Sequence, residues 1–251
     1  MTKFSQNAVW ADALTLVRGN VVALVAIAGV FNFLPVLLVN HFFPLPDAAA
    51  TDPNLLPIWR AFIRESLLWY VLESFIVMVG SAAMLRLVFA RGGTVGGALI
   101  FAIMLLPAYS LMLVLNGFAV GLGLLLLIVP GLYLWGRLIP AGAAMVAEER
   151  RGPIQSMKRS FEITRDHGWT VVGLYVLVLL PGAVLILAIE QVSGILFILA
   201  AGQGLGRLLT EILLALLNAA LATLLTMLSA AIYRALATPE KTGAPDLKKA
   251  G

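Results

Sequence analysis

Six long runs of apolar residues, separated by short polar stretches, dominate the sequence. They cover about residues 20–40, 66–88, 94–115, 117–137, 169–189 and 205–234. Each run meets the requirement of about 20 apolar residues for a helix that crosses a bilayer. A backbone in lipid must satisfy its own hydrogen bonds, and no run alternates polar with apolar residues, so each predicts a helix rather than a strand. We therefore predict an all-α fold, a polytopic membrane bundle of about six transmembrane helices.

Shorter segments complete this pattern. Residues 7–18 form an amphipathic lead-in to the first run, which we interpret as an uncleaved span because it is long for the apolar part of a signal peptide. Residues 193–201 are apolar but too short to cross, so we expect them to lie at the outer interface or to dip into it. Residues 1–236 are predicted to form one transmembrane domain, followed by a short polar cytoplasmic tail at 237–251.

The overall composition supports lipid as the solvent. The chain is 61% hydrophobic and 12% charged, whereas soluble domains are about 45–50% apolar and roughly 25% charged. Such a chain has too little polar surface to cover a core in water. It also contains no cysteine, which excludes disulfides and thiolate chemistry.

Lys and Arg residues are distributed unevenly over the two sides of the predicted bundle. If the N-terminus is inside, 14 of the 17 basic residues face the cytoplasm, and the other three, Arg60, Arg64 and Arg207, face outward. Positive residues near helix ends are retained on the cytoplasmic side. We therefore predict a multi-pass protein of a bacterial-type inner membrane with cytoplasmic N- and C-termini. The net charge of +4 then needs no nucleic-acid partner to explain it.

A basic segment follows the fourth run. Pro153 suits the first position of a helix and Gly168 suits its end. Ile154, Met157 and Phe161 fall on one face of that helix, which we expect to turn toward the bilayer or the bundle. The segment therefore predicts a cytoplasmic amphipathic surface helix. Its basic residues form a predicted surface for anionic lipid: Arg150, Arg151, Lys158, Arg159 and Arg165.

The region around this helix resembles a known family. In order, it contains Pro130-Gly131-Leu132-Tyr133, Arg137, Glu148-Glu149, Lys158-Arg159-Ser160-Phe161, Thr164-Arg165 and Trp169. Over residues 124–172 the chain is similar to the membrane domain fused to some glycerophosphodiester phosphodiesterases and to the related YciC-type inner-membrane proteins, and residues 231–234 support the likeness. The resemblance implies a six-helix membrane fold and no particular activity.

The sequence carries no catalytic constellation. Phosphodiester hydrolysis needs a metal held by carboxylates, with histidines for acid–base work. The two histidines, His41 and His167, fall on opposite sides of the predicted membrane, and Glu148 and Glu149 are interpreted as charges flanking the basic helix. We therefore predict a protein that is not an enzyme and that has no cofactor and no metal site.

Ionisable residues within the spans are candidate functional residues. Glu73 and Glu211 lie at similar depth in the outer half, and together with Arg207, one turn from Glu211, and Asn116, at the outer end of span three, they are predicted to form one intramembrane polar cluster. We expect Arg207 to contact both Glu73 and Glu211 in this cluster, which requires spans two and six to be neighbours. A structural ion pair and a substrate or proton site remain open alternatives. Nearer the inner surface, three residues are predicted membrane-interface anchors: Arg86, Arg137 and Trp169.

Small residues predict where helices pack closely. In the sixth run they recur along one stripe, at Ala215, Ala219, Ala222, Thr226 and Ala230. We expect this stripe to face the bundle interior or a partner helix, and the neighbouring leucines to face mostly toward lipid. The spacings Gly93/Gly97 and Gly117/Gly121 give a similar but weaker signal.

Two functions remain open on the sequence. The first is a non-enzymatic protein that organises or stabilises a membrane assembly or binds anionic lipid, with membrane lipids and other membrane protein subunits as partners. The alternative is a small permease or lipid-handling transporter with a polar site in the outer half, which the prolines inside four spans would suit. A continuous polar cavity touching Glu73 and Glu211 would favour the transporter.

Overall fold

A computed structural model describes residues 5–46, 54–90, 93–149 and 152–237. Those residues are helical almost throughout and contain no strand. The elements in chain order are α1 Gln6–Gly19, α2 Val21–Ala28, a π-helical turn Gly29–Phe33, α3 Leu34–Phe42, α4 Leu55–Phe89, α5 Val95–Leu126, α6 Ile128–Leu138, α7 Ala141–Ala147, α8 Pro153–Ile163 and α9 Gly168–Ala237. Arg150, Arg151 and all of the predicted tail after Ala237 lie outside the described residues.

Four helical stretches are long and apolar enough to cross a bilayer. They are Val21–Phe42, Leu55–Phe89, Val95–Leu126 and Gly168–Ala237. The predicted all-α fold is confirmed, and these helices indicate a membrane protein. Six spans remain a prediction, because they require α6 and α7 to cross together and α9 to cross twice.

Helices α2 and α3 form one apolar rod with a π-helical turn in its middle. The turn lies just before Pro35, which has no N–H to donate and whose ring crowds the carbonyl four residues earlier. The Leu34 N–H bonds instead to the Gly29 carbonyl, five residues back. Asn32 in this turn is only 2% exposed. A methyl group on Gly80 of α4 would lie 3.0 Å from Asn32 Oδ1, so the missing side chain lets α4 approach the turn.

Helices α5 and α6 form a tight hairpin at Leu127, where the backbone is extended. The expectation that one span ends at 115 and the next begins at 117 is therefore wrong, since α5 continues to Leu126. The close contact lies between Gly123 and Gly131: a methyl group on Gly123 would be 2.8 Å from Gly131 Cα. Gly117 and Gly121, whose spacing predicted close packing, have no neighbour within 4 Å of such a group.

Helix α9 is also a hairpin. Its backbone breaks at Gly202, which adopts a positive φ of 79° that favours glycine. We call residues 168–201 α9a and residues 203–237 α9b. A methyl group on Gly182 would lie 2.8 Å from Leu221 Cδ1, so α9a and α9b run antiparallel in contact. Residues 193–201 continue α9a as helix, which corrects the expectation of a separate interfacial or re-entrant piece.

The densest packing lies at one end of the bundle, which we call the α8 end because it carries α8. There α7 is almost completely buried between stretches 82–85 of α4 and 227–232 of α9b. The small residues of α7 allow this close approach of helices. At the opposite end, the Gly202 end, many large apolar side chains are exposed, including Leu125 and Leu199. The buried core is therefore concentrated at the α8 end.

The small-residue stripe of α9b follows the prediction only in part. Ala215, Ala219 and Ala230 are buried as expected. Leu228 is buried too, so the expectation that the leucines face outward is wrong at the α8 end. The reason is that the core surrounds α9b on all sides there, which a one-sided stripe does not anticipate.

Candidate functional site

Helix α8 docks on α6 through hydroxyl groups. Ser156, Ser160 and Thr164 are fully buried, one helical turn apart. The Ser160 hydroxyl donates to the Arg137 carbonyl over 2.6 Å. In return, the Arg137 guanidinium donates to Thr164 Oγ1 and to the Phe161 carbonyl and lies over the Phe161 ring. Arg137, predicted as an interface anchor, therefore also fixes α8 to the bundle.

This docking adds a feature that the predicted amphipathic pattern did not contain. Met157 packs against the core, as expected. Ile154 is 60% exposed, which the predicted contact with the bilayer also allows, but the fully buried side chains of α8 are small hydroxyls instead of apolar groups. The carbonyl and guanidinium of Arg137 explain this, because buried polar groups need hydrogen-bonding partners.

A network of charges closes the α8 end. The Glu148 carboxylate accepts from Arg159 Nε over 2.7 Å and from the Tyr233 hydroxyl over 2.8 Å. Arg159 also pairs with Glu162 at 3.4 Å. The hydrogen bond to Glu148 is the main reason that the pKa of Arg159 is raised above its ordinary value. Arg159 therefore links α8 to α7 and α9, although the sequence assigned it to a lipid-binding surface.

Two further pairs connect the same end. Arg86 Nη1 lies 2.6 Å from Glu149 Oε1, and its guanidinium lies 4.3 Å from the centre of the Phe101 ring. Arg234 Nη1 lies 3.3 Å from Asp12 Oδ1, which ties α9b to α1. The first pair joins α4 to the turn that follows α7, and the second joins α9b to α1.

Two cations of α8 and its following turn stay outside this network. Lys158 and Arg165 are exposed and form no ion pair with the described residues. Trp169 nearby is half exposed and packs against the Tyr133 ring at 5.5 Å. The surface predicted for anionic lipid is therefore divided, with Arg159 turned into the protein and the two other described cations turned outward.

The predicted polar cluster at the Gly202 end forms only in part. Arg207 Nε lies 2.9 Å from Glu211 Oε1, as the spacing of four residues predicts. The second oxygen, Glu211 Oε2, lies 2.6 Å from His41 Nδ1 at the end of α3, a partner that the sequence did not indicate. Within the described part of the chain, Glu73 makes no ion pair with Arg207, and Glu73 Oε2 is buried without a hydrogen-bond partner. The predicted contact of Arg207 with Glu73 is therefore wrong.

Asn116, the fourth predicted member of that cluster, borders a cavity in the middle of the bundle. The cavity measures about 420 Å³ and lies between α4, α5, α6, α7, α9a and α9b. Its polar lining residues are Ser74, Ser81, Tyr109, Asn116, Tyr175, Thr226 and Ser229. No charged side chain is part of the lining, and neither Glu73 nor Glu211 reaches it.

Comparison with known proteins adds no family to these observations. No family model, curated protein or solved structure matches this chain. The likeness to the YciC-type proteins thus stays a prediction. A function for this chain can therefore be proposed only from the positions and contacts of its side chains.

Proposed function

We propose that this chain is a non-enzymatic inner-membrane protein of six spans that binds anionic lipid at its cytoplasmic face and so helps to organise a membrane assembly. The observation that carries the proposal is the outward face at α8. There Lys158 and Arg165 are exposed and unpaired among the described residues, beside the exposed Ile154.

The placement of these residues suits a membrane surface. Lys158 is exposed on α8, and Arg165 is exposed in the turn that directly follows it. The opposite face is fixed to α6 by Ser160 and Arg137. The two cations are therefore presented by an ordered element, and each basic residue near an anionic membrane contributes about 1 kcal/mol. Arg150 and Arg151 immediately precede α8 in the sequence but lie outside the described residues.

The two glycine-bearing hairpins support six spans. At about 1.5 Å per residue, α9a and α9b are each longer than the roughly 30 Å of a bilayer core, and they lie antiparallel. α6 and α7 together cover residues 128–147, which is close to the length that one crossing needs. The cytoplasmic side is then the α8 end, in agreement with the charge distribution.

The transporter alternative has less support. It would be favoured by one polar cavity reaching Glu73 and Glu211, and neither residue lines the cavity of the described bundle. Glu211 is instead occupied by Arg207 and His41.

Single cysteines test the topology, because the chain has none of its own. With a membrane-impermeant maleimide on intact spheroplasts, we expect Leu56→Cys and Gln203→Cys to be labelled. Lys158→Cys should react only after the membrane is opened. All three positions are exposed, so access depends on the side of the membrane. A protected Gln203→Cys would contradict the double crossing of α9, and labelling of Lys158→Cys in sealed spheroplasts would contradict the orientation.

Charge removal tests lipid binding. The pair Lys158→Gln and Arg165→Gln should lower retention of phosphatidylglycerol, measured by native mass spectrometry, by about thirtyfold, at roughly 1 kcal/mol for each cation. The matched control is Arg60→Gln with Arg64→Gln, which removes the same charge from exposed residues near the start of α4. Equal loss in both double variants would show that only net charge matters and would overturn the proposal.

A further inference from the structure

We propose that the central cavity binds the uncharged, hydroxyl-bearing head of a neutral lipid. This site is separate from the α8 surface and does not depend on it. Its volume of about 420 Å³ falls within the range of roughly 300–1,000 Å³ that is usual for small-molecule sites.

Unpaired polar groups point to a ligand. Tyr109 is only 6% exposed and borders the cavity, yet its hydroxyl has no hydrogen bond to any described residue. The Tyr175 hydroxyl on α9a is likewise unpaired among them. Asn116 Oδ1 is buried and has no partner. A buried acceptor is costly when left unpaired, as Asn116 Oδ1 is. The two phenolic hydroxyls line the same cavity without a partner among the described residues, so the three groups together indicate that a ligand completes them.

Three of the remaining lining hydroxyls are already occupied as donors. Ser74 donates to the Tyr70 carbonyl at 2.8 Å, Thr226 to the Ala222 carbonyl at 2.8 Å, and Ser229 to the Ile139 carbonyl at 3.2 Å. The site therefore offers the two phenolic hydroxyls and the Ser81 hydroxyl, which has no hydrogen bond to a described residue, as donors, and one amide oxygen as an acceptor. A head that carries both an ester carbonyl and a free hydroxyl matches this set.

The lining selects against charge. It holds no Asp, Glu, Lys, Arg or His, and an ionised head would lose its hydration there without gaining a counter-ion. A fatty acid or a phospholipid phosphate is therefore a poor fit. A glycerol ester is a good one.

The surroundings favour a lipid over a soluble polyol. Ser74 at the rim is exposed on α4, and its neighbours Leu72, Phe75 and Ile76 are exposed apolar residues. A molecule entering there comes from the hydrocarbon layer. Val77, Leu113 and Leu225 give the cavity apolar walls that suit the first methylenes of an acyl chain.

Three probe molecules, which share either the acyl chain or the glycerol head, test this site on the full-length protein in detergent. Monopalmitoylglycerol should raise the unfolding temperature saturably. Palmitate, which has the same chain with a charged head, and glycerol, which has the head without the chain, should not. Tyr109→Phe combined with Tyr175→Phe removes both phenolic donors and keeps both rings, and should weaken monopalmitoylglycerol binding by at least about tenfold. Tyr133→Phe at the α8 end, outside the lining, is the matched control and should bind normally.

Several results would overturn the proposal. Palmitate binding as tightly as the ester would remove the selection against charge, and glycerol competing fully would make this a soluble-polyol site. Unchanged affinity in the double tyrosine variant would show that the hydroxyls play no part. If that variant fails to fold, Ser81→Leu, which fills the cavity from α4, replaces it, and unaltered binding there has the same meaning.

Discussion

Gly131→Ala is expected to destabilise the protein by about 3 kcal/mol, the upper part of the range for overpacking a tight interface. The added methyl group would overlap Leu124 N and lie 2.7 Å from Leu124 Cα. Both are backbone atoms of the facing helix, so no side chain can rotate away. Unfolding in mixed micelles, followed by circular dichroism, measures the loss.

Gly121→Ala is the matched control for this prediction. It lies in the same hairpin, and its added methyl group would meet nothing within 4 Å. Because alanine is favoured over glycine within helices by up to about 1 kcal/mol, this variant should be as stable as the wild type or more stable. Equal stability of the two variants would contradict the close approach of α5 and α6.

The second large effect is expected from Glu148→Gln. This change keeps the shape of a side chain that is 19% exposed but removes the charge that holds Arg159 and Tyr233. Hydrogen bonds to charged groups contribute roughly 1.5–3 kcal/mol, so we expect a loss of about 2–3 kcal/mol in the same unfolding experiment.

The adjacent residue provides the control. Glu149 is paired with Arg86, but its side chain is 60% exposed, and exposed ion pairs contribute at most about 1 kcal/mol. Glu149→Gln should therefore have a small effect. Combining Glu148→Gln with Arg159→Gln should cost less than the sum of the two single changes. Additive losses would mean that the two side chains are not coupled.

The elements of the fold could largely be predicted from the sequence. The apolar runs gave the long helices, and Pro153 gave the start of α8. The ends of the helices were harder to predict. Interrupting a helix inside the bilayer costs more free energy than carrying one polar residue through it, so a polar residue does not mark the end of a span. Asn116 looked like the end of a span, yet α5 carries it through and turns only at Leu127. A turn between the fifth and sixth runs was predicted, but its position was not, because the helix continues past residue 189 through apolar residues and breaks only at Gly202.

The candidate sites divide into local and distant contacts. The Arg207–Glu211 pair depends only on a spacing of four residues and was predicted. His41 lies far from Glu211 in sequence, so their contact depends on how α3 packs against α9b, which no local pattern encodes. Lys158 and Arg159 are equivalent by residue type, and only the position of Glu148 on the neighbouring element separates them.

The tight turn at Leu127 has a consequence for how the chain enters the membrane. No Asp, Glu, Lys or Arg occurs between Arg91 and Arg137. In the proposed orientation, α5 and α6 can therefore insert together as a hairpin whose tip takes no ionised group to the far side. Moving a charge across the membrane involves about 2.3 kcal/mol per 100 mV. Insertion of this hairpin should thus be indifferent to the membrane potential, unlike translocation of the start of α4 with Arg60 and Arg64.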